Sequence, residues 1–176
     1  MKFLKTQIEG AYLIERLPNI DKRGYFSRLY CEREFQMAGI RTKFVQMNLC
    51  ENIQKGTLRG LHYQAGDKAE DKVVACTRGK IFDVCVDIRK DSQTYGKYIA
   101  YELSEENGRM LLLPKGCAHG YITMENNCQL LYMMSEFYVP ELAAGYRYDD
   151  PTFAIQWPFV EELIVSEKDL KLPFFN

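Results

Sequence analysis

The chain has 176 residues, 47 % of them hydrophobic, and carries 23 basic and 24 acidic side chains for a formal net charge of -1. That length suits one domain, residues 1–176, with enough apolar material for a sizeable core. The balanced charge excludes an electrostatic footprint for nucleic acid or an anionic membrane, and no run nears the roughly 20 apolar residues of a membrane span.

Helical periodicity is scarce. Residues 31–38 fit two helical turns closed by Gly39. Residues 72–76 read as a strand, and the turn Thr77-Arg78-Gly79-Lys80 predicts a hairpin to the next one. That next strand, 81–88, is the clearest: Phe82, Val84, Val86 and Ile88 share one face, and Ile81, Asp83, Cys85 and Asp87 share the other. Residues 111–113 form a strand stopped by Pro114-Lys115-Gly116. In 130–135, Leu130, Tyr132 and Met134 lie on one face. Ser166 caps a short helix that includes Asp169. Many short strands, rich in Tyr and Phe and broken by turn residues, predict an all-β sandwich or closed barrel. A barrel of about eight strands can hold one small ligand, so polar residues on inward faces are the candidates for function.

Six cysteines, at 31, 50, 76, 85, 117 and 128, form no Cys-x-x-Cys pair. Cys76, Cys85 and Cys128 read as small buried hydrophobes in a reducing compartment. Residues 1–10 hold no apolar stretch of signal-peptide length. Both features predict a cytoplasmic location.

The only histidines are His62 and His119, each in a segment marked by glycine. Glycine lets backbone approach a ligand closely. A metal-binding barrel would use a His-x-His pair with a carboxylate, but His62 is followed by Tyr63 and Gln64, so no metal site is expected. Acid–base chemistry fits better, because imidazole titrates near neutrality. Such a base needs an orienting carboxylate; Asp83, Asp87 and Asp169 are equal candidates on sequence grounds. The plain structural alternatives are a helix-capping role for Asp169 and a core role for Tyr132.

An ordered series of motifs runs from about residue 7 to 173. It includes Asp21-x-Arg23-Gly24-Tyr25-Phe26, Gln46-x-Asn48, Leu58-Arg59-Gly60-Leu61-His62-Tyr63-Gln64 and Lys72-Val73-Val74. It continues with Pro114-x-Gly116-x-Ala118-His119-Gly120, Tyr132, Tyr138 and Ser166-x-Lys168-Asp169. This series resembles the dTDP-4-dehydrorhamnose 3,5-epimerase family. The resemblance implies a double-stranded β-helix, the cupin-like jelly roll, working without cofactor or metal. It implies a homodimer that swaps N-terminal strands and a substrate that is a nucleotide-diphospho-4-keto-6-deoxyhexose. It also implies roles: His62 as base, Asp169 as its partner, Tyr132 as acid, and Lys72 and His119 at the C4 oxygen. Arg23 and Arg59 would hold the diphosphate, Gln46 and Asn48 the nucleotide, and Tyr138 its base; Phe26 joins this binding set.

Several positions depart from the family pattern. Arg28 and Ala143 each replace a usual Glu, Met47 replaces a small or acidic residue, and Cys50 and Asn52 replace Ser. All lie outside the catalytic set. They leave open a different nucleotide, such as CDP, and inversion at C3 or C5 alone. Outside the family, the alternatives are a metal-dependent cupin enzyme and a sugar-binding barrel.

Overall fold

The chain was described over residues 1–175 in a computed structural model. The N-terminal part holds strands β1 (Lys2–Lys5), β2 (Tyr12–Glu15), β3 (Asn19–Asp21) and β4 (Gly24–Phe26), followed by helix α1 (Glu32–Met37). Next come β5 (Gln46–Asn52), β6 (Thr57–Gln64), β7 (Lys72–Arg78), β8 (Lys80–Asp87) and β9 (Tyr98–Ser104). The last strands are β10 (Arg109–Leu113), β11 (Cys117–Thr123), β12 (Cys128–Met134), β13 (Ala143–Gly145) and β14 (Ile164–Val165), before helix α2 (Glu167–Leu170).

Two sheets form a jelly roll. The first has the order β1-β2-β10-β7-β12-β5, and the second β13-β6-β11-β8-β9, with β14 added parallel to β6. The all-β jelly-roll expectation therefore holds. Ile81, Cys85, Leu111, Tyr121 and Leu130 fill the space between the sheets. Each sheet is also covered outside. Phe35 of α1 is 1 % exposed and packs edge-on against Phe3, Tyr30 and Phe44 over the first sheet. Phe153 packs over the outward Val84 and Val86 of the second. Full burial of such side chains stabilises by about 1.5–3 kcal/mol each. Double coverage explains why both faces of β8 are apolar or buried.

The hairpin expected between 72–76 and 81–88 does not form. β7 pairs with β10 and β12 in one sheet, whereas β8 pairs with β9 and β11 in the other. Gly79 turns the chain from one sheet to the other with φ +73°. A Cβ there would lie 2.8 Å from the Cys128 sulfur, so close packing as well as backbone angle requires glycine. Turn chemistry marked this corner correctly, but it does not say whether two strands pair or part.

The two helices lie where the capping signals put them. Gly39 follows α1 with φ +85°, and the Ser166 hydroxyl accepts from the Asp169 amide at 3.1 Å. Among the described residues, no helix is long and apolar enough to cross a membrane. All six cysteines are free thiols, and four of them are buried.

Candidate active site

Strand register decides which side chains face the interior. On the second sheet, His119 of β11 lies opposite His62 of β6, and Tyr121 lies opposite Arg59. Residues directly opposite share a face, and His119 and Tyr121 share one by alternation. Arg59 and His62 are three residues apart, so regular pleating would separate them. A register shift between the two pairs brings them to the same face. The shift is centred on Gly60, whose φ is +134° and whose Cβ would sit 2.5 Å from Gly120 Cα. Backbone contact leaves room for no other residue.

On the first sheet, Lys72 and Val74 of β7 lie opposite Met134 and Tyr132 of β12, and Tyr132 and Met134 lie opposite Asn48 and Gln46 of β5. Lys72, Tyr132, Gln46 and Asn48 therefore share the inner face of that wall. The Tyr138 amide donates to Gln46 Oε1 at 3.3 Å, which brings the β12–β13 connection to the same mouth. Nine of the eleven candidates, Asp169 of α2 among them, converge from both walls on one region. A cleft lined by His62, Lys72, Glu70, Met134, Tyr138 and Lys168 opens there, beside a second one lined by Arg59, His62 and Asp169.

Arg23 and Phe26 do not join them. They sit on the hairpin of β3 and β4, where Arg23 folds back on Asp21 and Phe26 is 75 % exposed. Ile20 and Tyr25 on the same hairpin are also exposed.

Three acid–base pairs line the site. Asp169, 4 % exposed, reaches His62 Nε2 with Oδ1 at 2.8 Å, and its Oδ2 accepts from the Gly60 amide at 3.2 Å. Burial opposes its charge, but the hydrogen bond and charge of His62, with the Gly60 amide and Ser166, hold the carboxyl below its ordinary pKa. An ionised Asp169 accepts a proton-bearing Nε2, so the His62 lone pair is left at Nδ1. Asp83 takes a different histidine: its Oδ1 lies 2.7 Å from His119 Nε2. Asp87 instead binds Arg89, Ser92 and Thr94 in a turn. The geometry thus separates three carboxylates that sequence left equal. Lys72 Nζ pairs with Glu70 Oε1 at 3.2 Å, both largely buried.

Tyr132 presents its ring edge to His119, with centroids 6.0 Å apart. Burial, and then the neighbouring Tyr121, push the Tyr132 phenol well above its ordinary pKa. The phenol therefore keeps its proton at neutral pH.

Glu70 and Tyr121 also belong to this region and carried no expectation from sequence; Asn52 belongs to it too, and sequence marked it only as a departure from the family's usual Ser. Tyr121 stands two residues after His119 in β11, so strand alternation alone could have found it; Glu70 precedes β7, which starts at Lys72, and lies outside that alternation. At Asn52, the end of β5, no periodic pattern pointed to the site.

Among the described residues, no three His, Cys, Asp or Glu side chains cluster as metal ligands. At the departures from the family pattern, Arg28 donates to Glu34 at 2.6 Å. Ala143 lines the cleft in β13.

Comparison with known proteins places this arrangement. The family model described as dTDP-4-dehydrorhamnose 3,5-epimerase matches residues 5–176. A dTDP-4-dehydrorhamnose 3,5-epimerase of Methanothermobacter thermautotrophicus is 44 % identical over 170 residues, 96 % of this chain and 91 % of that protein. The crystal structure of the Bacillus anthracis enzyme of that name, with TDP and PPi bound, has a TM-score of 0.96 at 38 % identity and covers 99 % of both chains. That of the Legionella pneumophila dTDP-6-deoxy-D-glucose-3,5-epimerase, in complex with dTDP-4-keto-L-rhamnose, has a TM-score of 0.94 at 37 % identity, covering 98 % of this chain and 92 % of the other. With sequence, fold and whole-length coverage in agreement, the chain belongs to the dTDP-4-dehydrorhamnose 3,5-epimerase family.

Proposed function

We propose that the protein, as one jelly-roll unit over residues 1–176, epimerises dTDP-4-dehydro-6-deoxyglucose at C3 and C5 without cofactor or metal. The observation that carries this reading is the facing of two groups of opposite character: the His62–Asp169 pair on one wall, and the Tyr132 phenol on the other.

A ketone at C4 acidifies the hydrogens on C3 and C5. His62 Nδ1 removes one of them, and Asp169 stabilises the imidazolium that forms. The electron pair becomes an enolate with its charge mainly on the C4 oxygen. Lys72 is the donor for that oxygen, with His119 beside it; one preorganised donor of this kind contributes about 2.7–4 kcal/mol. Tyr132 then returns a proton to the carbon from the opposite face, and the centre is inverted. Solvent takes the proton from the His62 imidazolium and returns one to the Tyr132 phenolate, and a second cycle at the other carbon completes the reaction.

Arg59 is assigned to the diphosphate, where its planar fork suits two oxygens at once. Gln46, Asn48 and Tyr138 are assigned to the nucleoside. The exposed, apolar hairpin of β3 and β4 favours a homodimer in which each copy's hairpin crosses to the other's cleft. That crossing would deliver Arg23 and Phe26 to the nucleotide. The reversed charge at Arg28 is taken up by Glu34; support for a thymidine nucleotide comes from the relatives whose structures hold TDP or dTDP-4-keto-L-rhamnose. Free thiols and a nucleotide-sugar substrate fit a cytoplasmic enzyme.

NMR of the product tests the reading. Incubation with dTDP-4-dehydro-6-deoxyglucose is expected to give the product inverted at both carbons, with the CDP analogue turned over poorly. Inversion at one carbon, or preference for CDP, would contradict it.

A further inference from the structure

Asn52 ends β5 and is 2 % exposed. Its Oδ1 accepts two hydrogen bonds, from Arg59 Nε at 2.9 Å and from the Tyr121 hydroxyl at 3.0 Å. Both lone pairs of that oxygen are therefore used. The Cys50 sulfur lies 3.5 Å from the same Tyr121 oxygen and within 3.8 Å of Asn52 Nδ2, closing a small polar cluster between the two sheets. Arg59 belongs to one sheet and Asn52 to the other, so this bond ties the walls together at the mouth.

The consequence for Arg59 is geometric. Its side chain lines the cleft beside His62 and Asp169. A guanidinium has five N–H donors in a fixed plane. Fixing Nε sets the plane, and the two terminal nitrogens remain to meet an anion. Arginine side chains otherwise lose about 2 kcal/mol of rotamer entropy when a ligand orders them, and an arginine already held loses less on binding.

We propose that Asn52 is a positioning residue that pre-orients Arg59 for the diphosphate of the substrate and so sets nucleotide affinity, not the rate of proton transfer. This rests on the nucleotide-sugar reading above. Tyr121 acts as the second anchor that keeps the Asn52 amide oxygen turned toward Arg59.

The test is calorimetric titration of the full-length protein with dTDP, alongside steady-state kinetics. Asn52→Leu matches the volume and removes the acceptor; Asn52→Ala is the smaller alternative should the leucine variant misfold. Either is expected to weaken dTDP binding about tenfold and to raise KM in parallel, with kcat within about threefold of wild type. In an Arg59→Ala background, the same Asn52 substitution should have no further effect, because its route is through Arg59. Folded Asn52 variants with wild-type dTDP affinity would overturn the proposal, as would an undiminished loss in the Arg59→Ala background. Wild-type protein that fails to bind dTDP would overturn the nucleotide reading itself, and this proposal with it.

Discussion

Replacing Asp169 by Asn is the sharpest perturbation of the catalytic assignment, because the structure dictates how the amide must sit. Asp169 uses both oxygens: Oδ1 toward His62 Nε2, and Oδ2 toward the Gly60 amide. A carboxylate accepts on both sides, but an amide accepts on one and donates on the other. The Gly60 N–H can only donate, so the amide oxygen must face it. The amide NH2 then faces His62 Nε2, which has to become the acceptor. The proton moves to Nδ1, and the nitrogen needed as base is occupied. Loss of the correct tautomer removes general-base catalysis, worth typically about 10²–10⁴-fold, or roughly 3–5 kcal/mol. Little else changes, because the amide fills the same volume and Ser166 still accepts from residue 169. The assay is incorporation of solvent deuterium into the 4-keto sugar, read by mass spectrometry on protein shown to be folded by circular dichroism. Folded Asp169→Asn that exchanges within about threefold of the wild-type rate would refute this reasoning.

Tyr132→Phe should keep proton exchange at carbon while slowing inversion by about 10²–10⁴-fold; equal loss of exchange and inversion would instead make Tyr132 part of the base machinery. Because burial and Tyr121 raise the Tyr132 phenol above its ordinary value, it stays protonated throughout the neutral and mildly alkaline range. A difference titration of phenolate absorbance, wild type against Tyr132→Phe, should therefore show no ionisation below about pH 10, and a Tyr132 signal below that pH would contradict the assignment as acid. Gly60→Ala drives a methyl to within 2.5 Å of Gly120 Cα at a φ of +134°. Strain and overpacking together should cost about 3 kcal/mol or more, or roughly 6–12 °C in Tm, and a thermal scan showing an unchanged midpoint would refute the bulge as the device that aligns Arg59 with His62.

The inward residues were legible wherever strand alternation holds. Tyr132 with Leu130 and Met134, and Asp83 with Cys85, lie on the faces the pattern gave them. Arg59 and His62 broke that pattern, and glycine between them was the visible sign of the bulge. The partner of His62 was not legible from spacing, because Asp169 arrives more than a hundred residues later from a separate helix; only the family motif pointed to it, and the fold separates it from Asp83. The corner at Gly79 was readable as a turn but not as a passage between sheets, since local φ and ψ do not encode which neighbours lie across a ladder. Asn52 was legible only as a departure from the family's usual Ser, not as a site residue, because an amide at a strand end has no periodic signature and gains its meaning from Arg59 and Tyr121. Arg23 and Phe26 were legible as motif but not as place: within one chain they stay on an exposed hairpin, so their setting depends on assembly.

The most direct test of the central claim is to count the solvent deuterons that wild-type protein introduces into dTDP-4-dehydro-6-deoxyglucose in heavy water. Two deuterons, one at C3 and one at C5, appearing without added metal or cofactor, are the predicted result. No incorporation, with the protein folded and dTDP bound, would contradict the assignment of His62 and Tyr132 as an epimerase acid–base pair.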